Sequence, residues 1–218
     1  QAYFEAEVYP PCNFAAREEM VMLGETLAHY SRALVVHVRN EADNLLEAQQ
    51  EMISLAEETN MHLHISHLKT IGKKNWHKID DSLALIEKAK EKGLCITADQ
   101  YPYVAGSTSL SACLPHWAMD GGPKAMLARL TNENMRQKLK DVFKTPVPNW
   151  QNRGETEGWE NVVVASLRSD DPAVVGHSIA ELSRAQDKHP VDVIMDILVR
   201  EENEATMVCF QNSEENVK

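Results

Sequence analysis

The residues best equipped for chemistry are two histidines that close short apolar runs. His37 ends Ala33-Leu34-Val35-Val36, and His67 ends Leu63-His64-Ile65-Ser66 thirty positions later. A third run, Ile96-Thr97-Ala98, passes into Asp99-Gln100-Tyr101-Pro102-Tyr103. Histidines at the ends of neighbouring parallel strands can share one divalent ion, and neutral imidazole suits zinc, although a catalytic zinc normally takes a third protein ligand. The plainer alternative is that each histidine makes a hydrogen bond at a strand end, and residue types leave both readings open. Lys69 could hold a substrate carboxylate or lie on a loop surface. Asp99 could orient a ligand or bond to backbone. Tyr101, Tyr103 and Ser107 add hydroxyls on a stretch suited to reading a small polar molecule.

His62-Leu63-His64 is also an HxH pair, which on a strand sends both rings to one face. It lies early in its strand and on the opposite face from His67, so a structural or solvent-exposed role is expected. His77, His116, His177 and His189 fall in loops or at helix starts and are taken as surface residues.

A regular alternation must position these groups. The prolines of Tyr9-Pro10-Pro11-Cys12-Asn13 forbid helix over residues 1–13. Apolar spacing predicts a helix from Ala15 to about Tyr30, a strand over 33–38, and a helix introduced by Asn40 and running to Thr59. Leu45, Ala48, Met52, Leu55 and Ala56 form its inner face. A strand follows over 63–67, then a helix from about Asp80 to Lys92 stopped by Gly93, then a strand over 94–100. Strand and helix repeating every 30 residues or so predict an α/β fold with a parallel sheet, whose chemistry collects at the carboxyl ends of the strands. After Tyr103 the period breaks. Ala105-Gly106-Ser107-Thr108 reads as a flexible loop, 124–143 as one helix and Pro146-Val147-Pro148 as irregular. Strands over 161–167 and 205–210 enclose helices over 178–185 and 191–201.

The formal charge of −11 argues against nucleic-acid or anionic-membrane partners. Cys12, Cys95, Cys113 and Cys209 lie far apart with no CxxC, which fits neither a zinc knuckle nor a disulfide framework and points to a reducing, cytoplasmic setting. No run of about 18 apolar residues is present. The chain starts at Gln1, and Ser213-Glu214-Glu215-Asn216 reads as the opening of a helix, so a segment of a longer polypeptide is expected.

Several stretches together resemble one known family. These are His37-Val38-Arg39-Asn40-Glu41, Ile65-Ser66-His67-Leu68-Lys69 with Asn75-Trp76, and Asp99-Gln100-Tyr101-Pro102-Tyr103 followed by Ala105-Gly106-Ser107-Thr108, with Tyr9-Pro10-Pro11 and Leu114-Pro115-x-Trp117-Ala118 in support. In combination they resemble the D-aminoacylases (N-acyl-D-amino-acid deacylases) of the amidohydrolase superfamily. The resemblance implies a partial (β/α)8 TIM-like barrel with an α-rich insertion, and zinc-assisted hydrolysis of an N-acyl-D-amino acid to a carboxylate and a D-amino acid. It implies that His37 and His67 are metal ligands and that Lys69, Tyr101 and Ser107 hold the substrate carboxylate. Residues 1–104 would be barrel βα units, 105–160 an insertion covering the active site, and 161–218 a return to barrel units.

The departures are specific. The family's first-strand HxH, its bridging fourth-strand ligand and its general-base Asp have no match here. Cys12 lies too early and beside prolines to serve as the bridge, and His177 stands where relatives are expected to carry lysine. A segment inactive by itself, prone to self-association through open strand edges, is the expectation. Two rival readings are a module that binds a D-amino acid through Lys69, Tyr101 and Ser107 without zinc, and a hydantoinase- or dihydroorotase-like ring opening. The Asp99 to Thr108 stretch argues against the latter.

Overall fold

The computed structural model describes residue 12, residues 15–145, residue 147 and residues 150–218. The irregular stretch expected over 1–13 lies outside the described residues apart from Cys12, as do Pro146 and Pro148. The chain divides into two units, Gln1–Tyr103 with Asn212–Lys218, and Val104–Gln211. No helix among the described residues is long and apolar enough to cross a membrane.

In the first unit, helix α1 (Arg17–His29) leads into strand β1 (Ala33–Val36). Helix α2 (Leu45–Thr59), strand β2 (His62–Ile65), helix α3 (Ile79–Glu91) and strand β3 (Ile96–Ala98) follow. The strands form a parallel sheet in the order β1-β2-β3, with Leu34 opposite Leu63, Val36 opposite Ile65, and Ile65 opposite Ala98. Leu34, Val36, Leu63 and Ile65 are fully buried and pack with Leu45, Met52, Leu55 and Ala56 of α2. Each such side chain removed from water contributes about 1.5–3 kcal/mol. That burial fixes which face of β1 and β2 looks inward, and the parallel direction of the strands puts the polar residues that follow them at one end of the sheet.

Helix α2 begins five residues after Asn40 rather than beside it. The Asn40 side chain instead accepts from the backbone N–H groups of Ala42 (2.9 Å) and Asn44 (3.1 Å), shaping the loop that leaves β1. Gly93 follows α3 at φ +90, the left-handed conformation expected of a helix stop.

The second unit is built differently. Strand β4 (Ala105–Ser109) is followed by helices α4 (His116–Met119), α5 (Gly122–Leu130), α6 (Glu133–Val142) and α7 (Arg153–Thr156). Strand β5 (Val162–Leu167), helices α8 (Ile179–Gln186) and α9 (Pro190–Arg200) and strand β6 (Ala205–Phe210) complete it. A short helix α10 (Glu214–Val217) belongs to the first unit, where Asn216 Nδ2 donates to Thr70 Oγ1 and to the Trp76 carbonyl, both at 2.8 Å.

Three features differ from what the sequence suggests. The 105–108 loop is a strand, because Ala-Gly-Ser-Thr-Ser gains its ladder from β6: small polar residues are poor strand formers alone but are held by a paired neighbour. The single helix over 124–143 is two, broken at Thr131-Asn132, where the Asn132 side chain accepts from the Met135 N–H at 3.1 Å and caps α6. Strands β5 and β6, expected to resume parallel barrel units, pair antiparallel in the order β4-β6-β5. Ala205, Met207 and Cys209 are buried in alternation along β6, the pattern of a sheet covered on one face.

Helix α8 opens on a reciprocal capping box. Glu181 N–H donates to Ser178 Oγ (3.2 Å) and Ser178 N–H donates to Glu181 Oε2 (2.8 Å). Replacing Ser178 with alanine is expected to cost about 1 kcal/mol, read as a lowered urea midpoint; an unchanged midpoint would show that the cap does not hold the helix.

Candidate metal centre

The polar residues that follow the parallel strands converge. His37 follows β1, and Glu41 lies four residues on in the loop that Asn40 shapes, its carbonyl accepting from the Ile71 N–H at 2.7 Å. His67 follows β2, whose ladder runs on one step past the strand through Ser66 N–H to the Val36 carbonyl at 2.9 Å. Glu41 is almost fully buried and reaches both imidazoles. Its Oε2 lies 3.2 Å from His37 Nε2 and its Oε1 lies 3.2 Å from His67 Nδ1. The two rings meet edge to face with centroids 4.2 Å apart.

One ligand atom from each of His37, Glu41 and His67 falls within 4.8 Å of the others, the one such group among the described residues. Two imidazoles and a carboxylate make a donor set of the kind that holds a catalytic divalent ion with three protein ligands and an open position. By donor chemistry and mutual distance, these residues fit a metal ion.

Lys69 is part of the same cluster. It is 7% exposed, and its ammonium donates to Glu41 Oε1 and to the His67 carbonyl (2.9 Å), with Nζ 2.8 Å from His67 Nδ1. Burial raises the Glu41 carboxyl, but the neighbouring His37 and Lys69 charges and the hydrogen bonds from His37 and His67 outweigh it and hold the group well below its ordinary value. The carboxylate is therefore ionised and available as a ligand at neutral pH. Tyr101 stands at the rim, its ring 6.5 Å from that of His67 and 5.6 Å from Lys69 Nζ.

Of the residues singled out from the sequence, the structure brings His37, His67, Lys69 and Tyr101 together. Ser107 belongs to the second unit, where its hydroxyl donates to the Met207 carbonyl at 3.1 Å. Tyr103 is exposed. Asp99 binds backbone and His64 rather than the cluster, with Oδ2 2.9 Å from His64 Nε2. His62 and His64 both contact Thr97 Oγ1, at 2.9 and 2.8 Å, and are not ligands of the cluster. His116, taken as a surface residue, is half-buried, and burial lowers its pKa. Cys113 and Cys209 are buried thiols, Cys113 pushed by desolvation up to about 12, so neither supplies a thiolate. Glu41 was given no role from the sequence, although a carboxylate four residues beyond a strand-end histidine was a usable sign.

No protein-family model matches the chain. The D-aminoacylase of Alcaligenes xylosoxydans xylosoxydans is 33% identical over 102 residues, a match covering 47% of this chain and 21% of that protein. Over that stretch this chain is similar to the D-aminoacylases. The N-acyl-D-glutamate deacylase of the same organism is 31% identical over 102 residues, again 47% of this chain and 21% of the relative. Among solved structures, the N-acyl-D-glutamate deacylase of Bordetella bronchiseptica, complexed with zinc and a phosphonate mimic of the reaction's tetrahedral intermediate, superposes with a TM-score of 0.68. Its identity is 22%, and the superposition covers 96% of this chain and 34% of that one, so the fold is common to both. The matches thus span about a fifth to a third of the D-aminoacylase relatives' own length.

Proposed function

We propose that this chain is a segment of a zinc-dependent hydrolase that cleaves the amide bond of N-acyl-D-amino acids to a carboxylate and a D-amino acid. The observation that carries the reading is the convergence of His37, Glu41 and His67 beyond the carboxyl ends of adjacent parallel strands. The D-aminoacylase relatives and the zinc-bound deacylase of the same fold support it. We further propose that the β1-β2-β3 unit is part of a (β/α)8 barrel and that residues 105–160 are an insertion.

In this reading His37, Glu41 and His67 hold the ion, which when bound supplies a Lewis acid toward the scissile carbonyl. Glu41 brings negative charge to the centre and steadies both imidazoles. Lys69 neutralises that charge and fixes the Glu41 oxygen it bonds. Lys69 and Tyr101, beside His67, are proposed as contacts for the substrate carboxylate. Asp99 is held by His64 and by backbone, so the proton-transferring carboxylate is proposed to come from elsewhere in the protein, and this segment alone is proposed to be inactive.

The test is hydrolysis of N-acetyl-D-methionine and its L enantiomer by the full-length zinc-loaded protein. The reading expects turnover of the D substrate only. Zinc-loaded protein that leaves the D substrate intact, or cleaves both enantiomers equally, would overturn it.

A further inference from the structure

His67 has a backbone φ of +40, the left-handed region that a residue with a Cβ avoids because the Cβ crowds the following carbonyl. The conformation has a consequence for the site. On a continued strand, residue 67 would share the face of Ile65, which is fully buried. The left-handed residue breaks that alternation and brings the ring against His37 and Glu41.

We propose that Asp99 is a positioning residue that holds His67 in this conformation, and that His64 in turn holds Asp99; the proposal rests on the reading of His67 as a metal ligand. Asp99 clasps the turn on both sides of His67. Its backbone N–H donates to the Ile65 carbonyl (3.2 Å) and its own carbonyl accepts from the Leu68 N–H (2.8 Å). Its side-chain Oδ1 accepts from the N–H of His67 itself at 2.5 Å. The other carboxylate oxygen, Oδ2, lies 2.9 Å from His64 Nε2, while His64 Nδ1 lies 2.8 Å from Thr97 Oγ1. Thr97 also meets His62 Nε2 at 2.9 Å. The HxH pair on β2 thus forms a buttress that runs from His62 through Thr97 to His64 and from His64 to Asp99, which ends on the backbone of His67. Nothing in this chain of contacts touches the ion's donor atoms, so its effect on the centre passes through the orientation of His67.

The experiment uses cobalt(II) as the probe, with the wild-type protein and the variants Asp99→Ala, Asp99→Asn and His64→Ala. Losing an outer partner of a ligand typically weakens metal binding by about 10- to 100-fold, and that loss is expected for Asp99→Ala together with an altered cobalt absorption spectrum. Asp99→Asn keeps an oxygen for the His67 N–H and is expected to bind within a few-fold of wild type. His64→Ala leaves Asp99 in place but loose, and an intermediate loss is expected, which keeps the proposal testable if Asp99→Ala does not fold. Without any metal, the His67 amide proton should lose its downfield shift in Asp99→Ala. Variants with a lowered melting temperature but wild-type cobalt affinity and spectrum would overturn the proposal and leave the metal centre standing. Wild-type protein that fails to bind cobalt would overturn both.

Discussion

Replacing Glu41 with alanine is expected to lower the unfolding free energy by about 3–5 kcal/mol, the range for removing one partner of a buried ion pair. The loss has a specific source. Lys69 is buried, and its ammonium is balanced by the Glu41 carboxylate. Alanine leaves that charge in a low-dielectric setting with the His67 carbonyl and imidazole and the Tyr101 ring beside it. Glu41→Gln keeps the shape and an acceptor oxygen and should cost less. Removing the lysine as well, in Lys69→Met, should recover part of the loss, with a coupling of about 0.5–3 kcal/mol in the double-mutant cycle. Urea unfolding of the four proteins measures it. A Glu41→Ala cost under about 1 kcal/mol, or no coupling, would mean that the pair does not carry its charge in the interior.

His37→Ala and His67→Ala are expected to act on metal binding rather than on the fold. Their side chains are 12% and 29% exposed, so truncation opens the site toward solvent instead of leaving a sealed cavity. Each variant keeps only two of the three donors. The affinity for zinc should fall by more than the roughly 100-fold that follows loss of an outer partner, measured by competition with a chromophoric chelator. The urea midpoint of the metal-free variants should stay close to that of the metal-free parent. A variant that lost stability but kept its zinc would assign that histidine to the fold.

Much of the first unit was legible because its residues act locally. Leu34 and Val36, then Leu63 and Ile65, could only be buried strand positions, and the stripe from Leu45 to Ala56 could only face them. Strand ends then placed His37 and His67 on one rim. What stayed hidden depends on partners remote in sequence. The Ala105 to Ser109 segment has no strand propensity of its own and becomes one through β6, about 100 residues away. Asn132 looked like a helix interior residue because its capping role depends on which amide it meets. Glu41 is one of 33 acidic residues, and nothing in its type distinguishes the one whose carboxylate turns inward between two imidazoles. Asp99 became interpretable only through the left-handed backbone of His67, which no residue pattern announces. The sequence set His62 and His64 apart from the metal ligands, and their contacts with Thr97, with that of His64 to Asp99, give them a role that strand position alone did not suggest.

X-ray absorption at the zinc edge of the zinc-loaded protein addresses the central claim most directly. The His37, Glu41 and His67 centre predicts a first shell of nitrogen and oxygen at about 2.0–2.2 Å, with outer-shell scattering from two imidazole rings that drops to one in either histidine variant. A protein that takes up no zinc, a sulfur shell at about 2.3 Å, or imidazole scattering unchanged in both variants would contradict it.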